Sequence, residues 1–107
     1  MSTVIVRTWS ARATPSGAAE YHAYFADVLV PELRTLAGFA GAYLLSRDDN
    51  GTVELTTHTF WDSYDAIRSF AGEDLTRSVV EPEARAVLLD FDPVVIHREV
   101  LVDTRTS

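Results

Sequence analysis

The chain has 107 residues, of which 47% are hydrophobic and 10% aromatic, and it carries a formal net charge of −7 with no cysteine. That length and composition fit one domain, 1–107, with a folded core of modest margin that oligomerisation would widen. The acidic balance, with nine positive residues that are all Arg and scattered, argues against a nucleic-acid partner, and the missing thiols rule out disulfides, thiolate metal ligands and a Cys nucleophile.

The opening MSTVIVRTWS lacks the charged stretch and apolar run of a signal peptide, and no apolar run approaches a membrane span, so a soluble cytoplasmic protein is expected. Thr3–Trp9 is β-rich and reads as a first strand, followed by a loop over Ala13–Gly17. Tyr21, Phe25, Val28 or Leu29, Leu33 and Leu36 then recur at helical spacing, which predicts a helix over Ala18–Ala37. Ser16 suits its N-cap, Gly38 suits the left-handed residue beyond its end, and Pro31 should kink or split it.

Phe39–Arg47 and Thr52–Trp61 read as a second and a third strand. Asn50-Gly51 between them is a strong hairpin signal, so the two should pair antiparallel. A second helix is predicted over Ser63–Ala71, capped by Asp62 or Ser63 and ended by Gly72. Leu75–Leu89 reads as one or two helical turns, with Pro82 opening the second. Asp90–Pro93 is a breaker, Val94–Val102 a fourth strand, and Asp103–Ser107 a fraying tail.

The order β-α-β-β-α-β implies an α+β domain of split β-α-β type, one antiparallel sheet with its helices on one face. The second and fourth strands carry apolar residues on both alternations, so the face without helices also needs a cover. A second copy of the same sheet is the simplest one, which predicts a symmetric homodimer through that open face.

Three stretches carry a family likeness: GFAGAYLLSR at Gly38–Arg47, TFWDSYDAIRSFAG at Thr59–Gly72, and VVIHREV at Val94–Val100. Together they resemble the antibiotic biosynthesis monooxygenase domain family, and the pattern formed by Trp61, Ser63, Ala66 and Phe70 is the most specific part. The resemblance implies a ferredoxin-like protomer in a dimeric α+β barrel, with a pocket between sheet and helices. It also implies a choice of chemistry, since some members oxidise polycyclic aromatic phenols to quinones with molecular oxygen and no bound cofactor, while others degrade haem. A cofactor-free oxygenase of the family has an Asn four residues before the third-strand Trp and a Tyr six residues after it; here those positions are Thr57 and Ile67. The haem-degrading type uses an Asn on the first strand and a His after the third; this chain has Asn only at position 50 and no His over 63–89, so that chemistry is not expected.

Trp61 shares its strand face with Val53, Leu55, Thr57 and Thr59. In the family geometry it would wall the pocket and stack on a planar aromatic substrate, with its indole N–H as a donor; otherwise it is a packing residue. His58 and His97 are mid-strand and are the candidate bases for deprotonating a phenol; each could equally be a structural histidine, and His22 is one residue off the helix's apolar stripe. Tyr21 and Tyr43 are candidate walls, with Tyr43 expected on the face of Phe39, Gly41 and Leu45, and Thr57, Phe25 and Ile67 complete the candidate substrate-binding set. Arg7 and Arg47 read as edge residues able to hold a phenolate or carboxylate at a pocket mouth. No histidine pair has ligand spacing, so no metal is expected, nor any bound cofactor. Two functions follow: cofactor-independent oxidation of a small aromatic phenol or quinol, or a non-catalytic dimeric binder or accessory protein of the same fold.

Overall fold

The computed structural model describes residues 3–105. Strand β1 spans Ile5–Ala13, helix α1 Pro15–Tyr24, and helix α2 Val30–Leu33, the two joined without a break by a π-helical turn over Phe25–Leu29. Strands β2 (Phe39–Asp49) and β3 (Thr52–Trp61) form the hairpin, and helix α3 covers Tyr64–Ala71. A single-turn helix α4 at Pro82–Arg85 precedes two short strands, β4 (Asp90–Phe91) and β5 (Ile96–Glu99).

The sheet order is β2-β3-β1, with β4 and β5 both pairing along the far side of β1, and every pairing is antiparallel. This is the ferredoxin-like arrangement, with the helices on one face. Alternation along β1 makes the layering explicit: Ile5, Arg7, Trp9, Ala11 and Ala13 are buried under the helices, and the residues between them are not.

Local chemistry explains the element ends. Thr14, rather than Ser16, caps α1, its hydroxyl accepting from the Gly17 N–H at 3.0 Å, so the helix begins inside the expected loop. Pro31 does not break the helical run, which continues through it. The turn before it widens instead, and the Val30 N–H bonds to the Phe25 carbonyl. A π turn relieves the clash that a proline ring otherwise makes with the carbonyl four residues back. The regular helix ends at Leu33, short of Ala37, in tighter turns that lead to Gly38. Gly38 has φ +88°, and a β-carbon there would collide with the Asp62 carboxylate and the Ala66 methyl, so only glycine fits.

The hairpin turn has φ 50° at Asn50 and 92° at Gly51, as its residue types require. Ser63 caps α3 by accepting from the Ala66 N–H at 3.1 Å. The expected first helical turn after Leu75 does not form. The backbone groups there are used elsewhere: the Thr76 carbonyl accepts from the Val95 N–H at 2.7 Å, and the Ser78 N–H donates to the Pro93 carbonyl at 3.0 Å. The expected strand over Val94–Val102 is cut to Ile96–Glu99, and part of the expected breaker pairs with β1 as β4. Pro93, lacking an N–H, falls in the gap between the two.

The core divides into two clusters. One gathers Trp9, Ala11, Tyr21, Phe25 and Leu55; the other gathers Ile5, Leu33, Trp61, Ala66 and Ile67. On the open face Tyr43 and Leu45 are each 45% exposed and Ile96 is 53% exposed. The Arg105 guanidinium lies 3.7 Å from the Phe60 ring centroid on that face; of the tail expected to fray, Thr106 and Ser107 lie outside the described residues.

Candidate functional site

The space between sheet and helices contains two small hollows of about 40 and 30 Å³, with a larger one of about 260 Å³ outside them. Leu29, Phe70 and Val79 border all three and act as the partition between interior and mouth. Each inner hollow has room for only a water or two.

Arg7 is the residue that stands out on the floor of the inner space. It lies within β1, two residues from the start of the strand, is 4% exposed, and has no acidic partner among the described residues. Its Nη1 donates to the Leu75 carbonyl at 2.6 Å and lies 3.1 Å from His97 Nε2, and its Nη2 donates to the Arg77 carbonyl at 2.9 Å. The Phe70 ring stands 5.7 Å away. Burial pulls the Arg7 pKa down to about 10, which still leaves the group charged at neutral pH. The guanidinium is thus a desolvated cation held by dipoles alone, an arrangement that favours an incoming anion.

His97 faces Arg7 across the β1–β5 pair. Burial, then the charge of Arg7, hold its pKa below the ordinary imidazole value. Because Arg7 can only donate, His97 Nε2 is the acceptor and the ring proton sits on Nδ1. The lone pair of this candidate base is therefore already engaged, and its first role is to hold Arg7.

Thr57 and Thr59 border the same hollow from β3, beside Trp9 and Tyr21. Trp9 donates from Nε1 to the Asp92 carbonyl at 2.9 Å. Burial pushes the Tyr21 hydroxyl pKa well up, so it stays a neutral phenol. Phe25 also borders the hollow.

Trp61 does not. It is 0% exposed, stacked on Phe70 at 5.9 Å and met edge-on by Phe39 at 5.3 Å. Its Nε1 donates to Thr59 Oγ1 at 2.9 Å, so neither its ring face nor its N–H is presented to the hollow. Trp61 instead orients Thr59, whose O–H is left free to donate. Ile67 packs beside Trp61 and is likewise sealed off.

Two further candidates lie on the opposite face of the sheet. A bulge between Phe39 and Gly41 shifts the alternation of β2 by one residue. Phe39 therefore points under the helices, while Tyr43 points to the open face and meets Phe60 edge-on at 5.5 Å. His58 pairs with Thr8 and Tyr43 on that same open face, on the opposite side of the sheet from Arg7. Arg47 is at the exposed end of β2, where its Nε donates to Glu54 Oε1 at 3.4 Å. The importance of Arg7 was legible only in part, through alternation with Ile5 and Trp9. Ending the strand at Trp9 made Arg7 look like an edge residue, whereas Ala11 and Ala13 continue its buried row and make it part of a continuous inner face.

No protein-family model matches the sequence, and no curated protein matches it. Solved structures do match along nearly the whole chain. A Bacillus cereus protein classed with the antibiotic biosynthesis monooxygenases superposes with a TM-score of 0.59 at 10% identity, covering 100% of this chain and 99% of the other. SnoaB, a cofactor-independent oxygenase of Streptomyces nogalater, gives 0.57 at 16% identity, covering 97% and 96%. A monooxygenase from the gene ActVA-Orf6 of Streptomyces coelicolor, solved with nanaomycin D, gives 0.56 at 15% identity, covering 99% and 93%.

Proposed function

We propose that this chain, which has the fold of the antibiotic biosynthesis monooxygenases, binds a small phenolic aromatic beside Arg7 and oxidises it with molecular oxygen without a cofactor. The observation that carries this reading is the buried, acid-free guanidinium at the floor of an aromatic-walled hollow. A desolvated cation lowers the pKa of a bound phenol and holds the phenolate, and that anion is electron-rich enough to reduce oxygen itself. The protein's part is to orient the ring against Trp9 and Tyr21, donate from Thr59, and exclude water. With a 1-naphthol type of substrate, one oxygen atom of O₂ becomes the new quinone carbonyl. The other leaves as water with the ring and hydroxyl hydrogens.

A bicyclic phenol exceeds either inner hollow, so binding requires Leu29, Phe70 and Val79 to swing toward the mouth. That tight filling favours a second reading, a non-catalytic binder or accessory protein. Oxygen uptake by the purified protein with a naphthol or a tricyclic anthrone separates the two. Saturable uptake above the buffer rate supports oxidation; binding without uptake supports the binder.

We also infer a homodimer through the open sheet face. The supporting observation is the apolar patch of Tyr43, Leu45 and Ile96 left uncovered there. Sedimentation equilibrium at micromolar concentration is the test, and a monomer contradicts it. Among the described residues no helix is long and apolar enough to cross a membrane.

A further inference from the structure

We propose that the groove between the helical run of α1 and α2 and the edge strand β2 is a second ligand site, built for an apolar carboxylate. The groove encloses about 550 Å³, within the usual range for small-molecule sites. It stands independently of the oxygenase reading.

The sequence explains why it is open. Residues spaced one turn apart, Ala18, His22, Ala26, Val30 and Arg34, form its helical side. Leu44 and Ser46 of β2 form the other side, over a floor of Phe25 and Leu55. The alanines are too short to reach β2, and β2 is the last strand of the sheet, so no further element fills the gap. Phe25, held in the π turn, borders both this groove and the Arg7 hollow and keeps them apart.

Charge selects the ligand. In a chain of net charge −7, the groove is lined by Arg34 and His22 and, among the described residues, by no carboxylate. Arg34 has no acidic partner among the described residues. The Ser46 hydroxyl makes no hydrogen bond among them either. The floor is wholly apolar and repels a polyanion or a sugar, whereas one guanidinium at one end suits a single carboxylate head on an apolar body.

The test uses the fluorescent probe 8-anilino-1-naphthalenesulfonate, an apolar aromatic monoanion, with decanoate and decanol as competitors. The proposal predicts saturable binding of one probe per chain and displacement by decanoate well before decanol. Ala26→Trp, which fills the groove, and Arg34→Glu, which reverses its charge, should each weaken binding at least tenfold. Both substitutions are at exposed positions, and unchanged circular dichroism and melting would show that the fold persists. Absence of binding overturns the proposal, as does binding that neither variant alters. Equal displacement by decanol overturns the choice of anion. A shift of Ala26→Trp from dimer to monomer would mean that the groove is a subunit contact and overturns it too.

Discussion

Two neighbouring places on one sheet face have opposite characters. At one, Ile5 pairs with Trp61, and the indole is sealed among apolar side chains except at its N–H. One alternation further along, Arg7 pairs with Thr59, and a cation and two threonines border water-sized space, with His97 hydrogen-bonded to the cation. Trp61 marks the dry end and Arg7 the polar end, with a single hydrogen bond from Trp61 to Thr59 joining them. A large aromatic in a family-like motif is first a packing residue. A charge inside an otherwise apolar row is the stronger pointer to a ligand, because desolvating it without an acid is costly unless something else uses it.

The largest effect that would break this contrast is on the dry side. Trp61→Ala should lower unfolding free energy by about 3–5 kcal/mol, read from the urea midpoint; a loss under about 1 kcal/mol would mean the indole is not in a sealed core. Thr59→Val sharpens the junction. It removes the acceptor of a buried indole N–H, and should cost about 1–3 kcal/mol while leaving the fold intact by circular dichroism. An unchanged midpoint would show that Trp61 finds another partner.

The smallest effect is on the polar side and concerns pH. The folded-state pKa of His97 lies below its unfolded value near 6.5. As pH falls through that value the unfolded chain takes up a proton that the folded chain refuses, so stability declines on the acid side. His97→Gln should remove that part of the decline, a fraction of a kcal/mol after solvent screening. Parallel urea midpoints for the two proteins between pH 7 and pH 5.5 would contradict the placement of a neutral His97 beside Arg7.

Much of the scaffold was legible in the residues. Asn50-Gly51 fixed the hairpin, and the bounds of the third strand followed from residue type; residue type narrowed the α3 cap to Asp62 or Ser63, and the structure uses Ser63. The errors were of phase and length. Counting alternation from Phe39 put Tyr43 on the wrong face, because a bulge is a backbone event; Gly41, with φ 132°, was its only trace. Leu75–Leu89 read as one or two helical turns, yet before Pro82 the Leu75, Thr76 and Arg77 carbonyls are taken by Arg7 and by the Val95 N–H, a tertiary use that no local pattern reveals. The groove along β2 was equally hidden, since spaced alanines normally signal close packing and here leave a gap.

The most direct test of the account is the affinity of a bicyclic phenol, by equilibrium dialysis, for the native protein and for Arg7→Met, Arg7→Lys and Trp61→Phe. Loss of a charged hydrogen bond to the phenolate predicts about 10–100-fold weaker binding by Arg7→Met. Arg7→Lys, which keeps the charge, should retain much of the affinity, and Trp61→Phe should stay within about twofold of native because the dry end is not the site. Equal weakening by Arg7→Met and Arg7→Lys would reduce Arg7 to a clamp on the Leu75 and Arg77 carbonyls. Loss of binding in Trp61→Phe with native affinity in Arg7→Met would contradict the account outright.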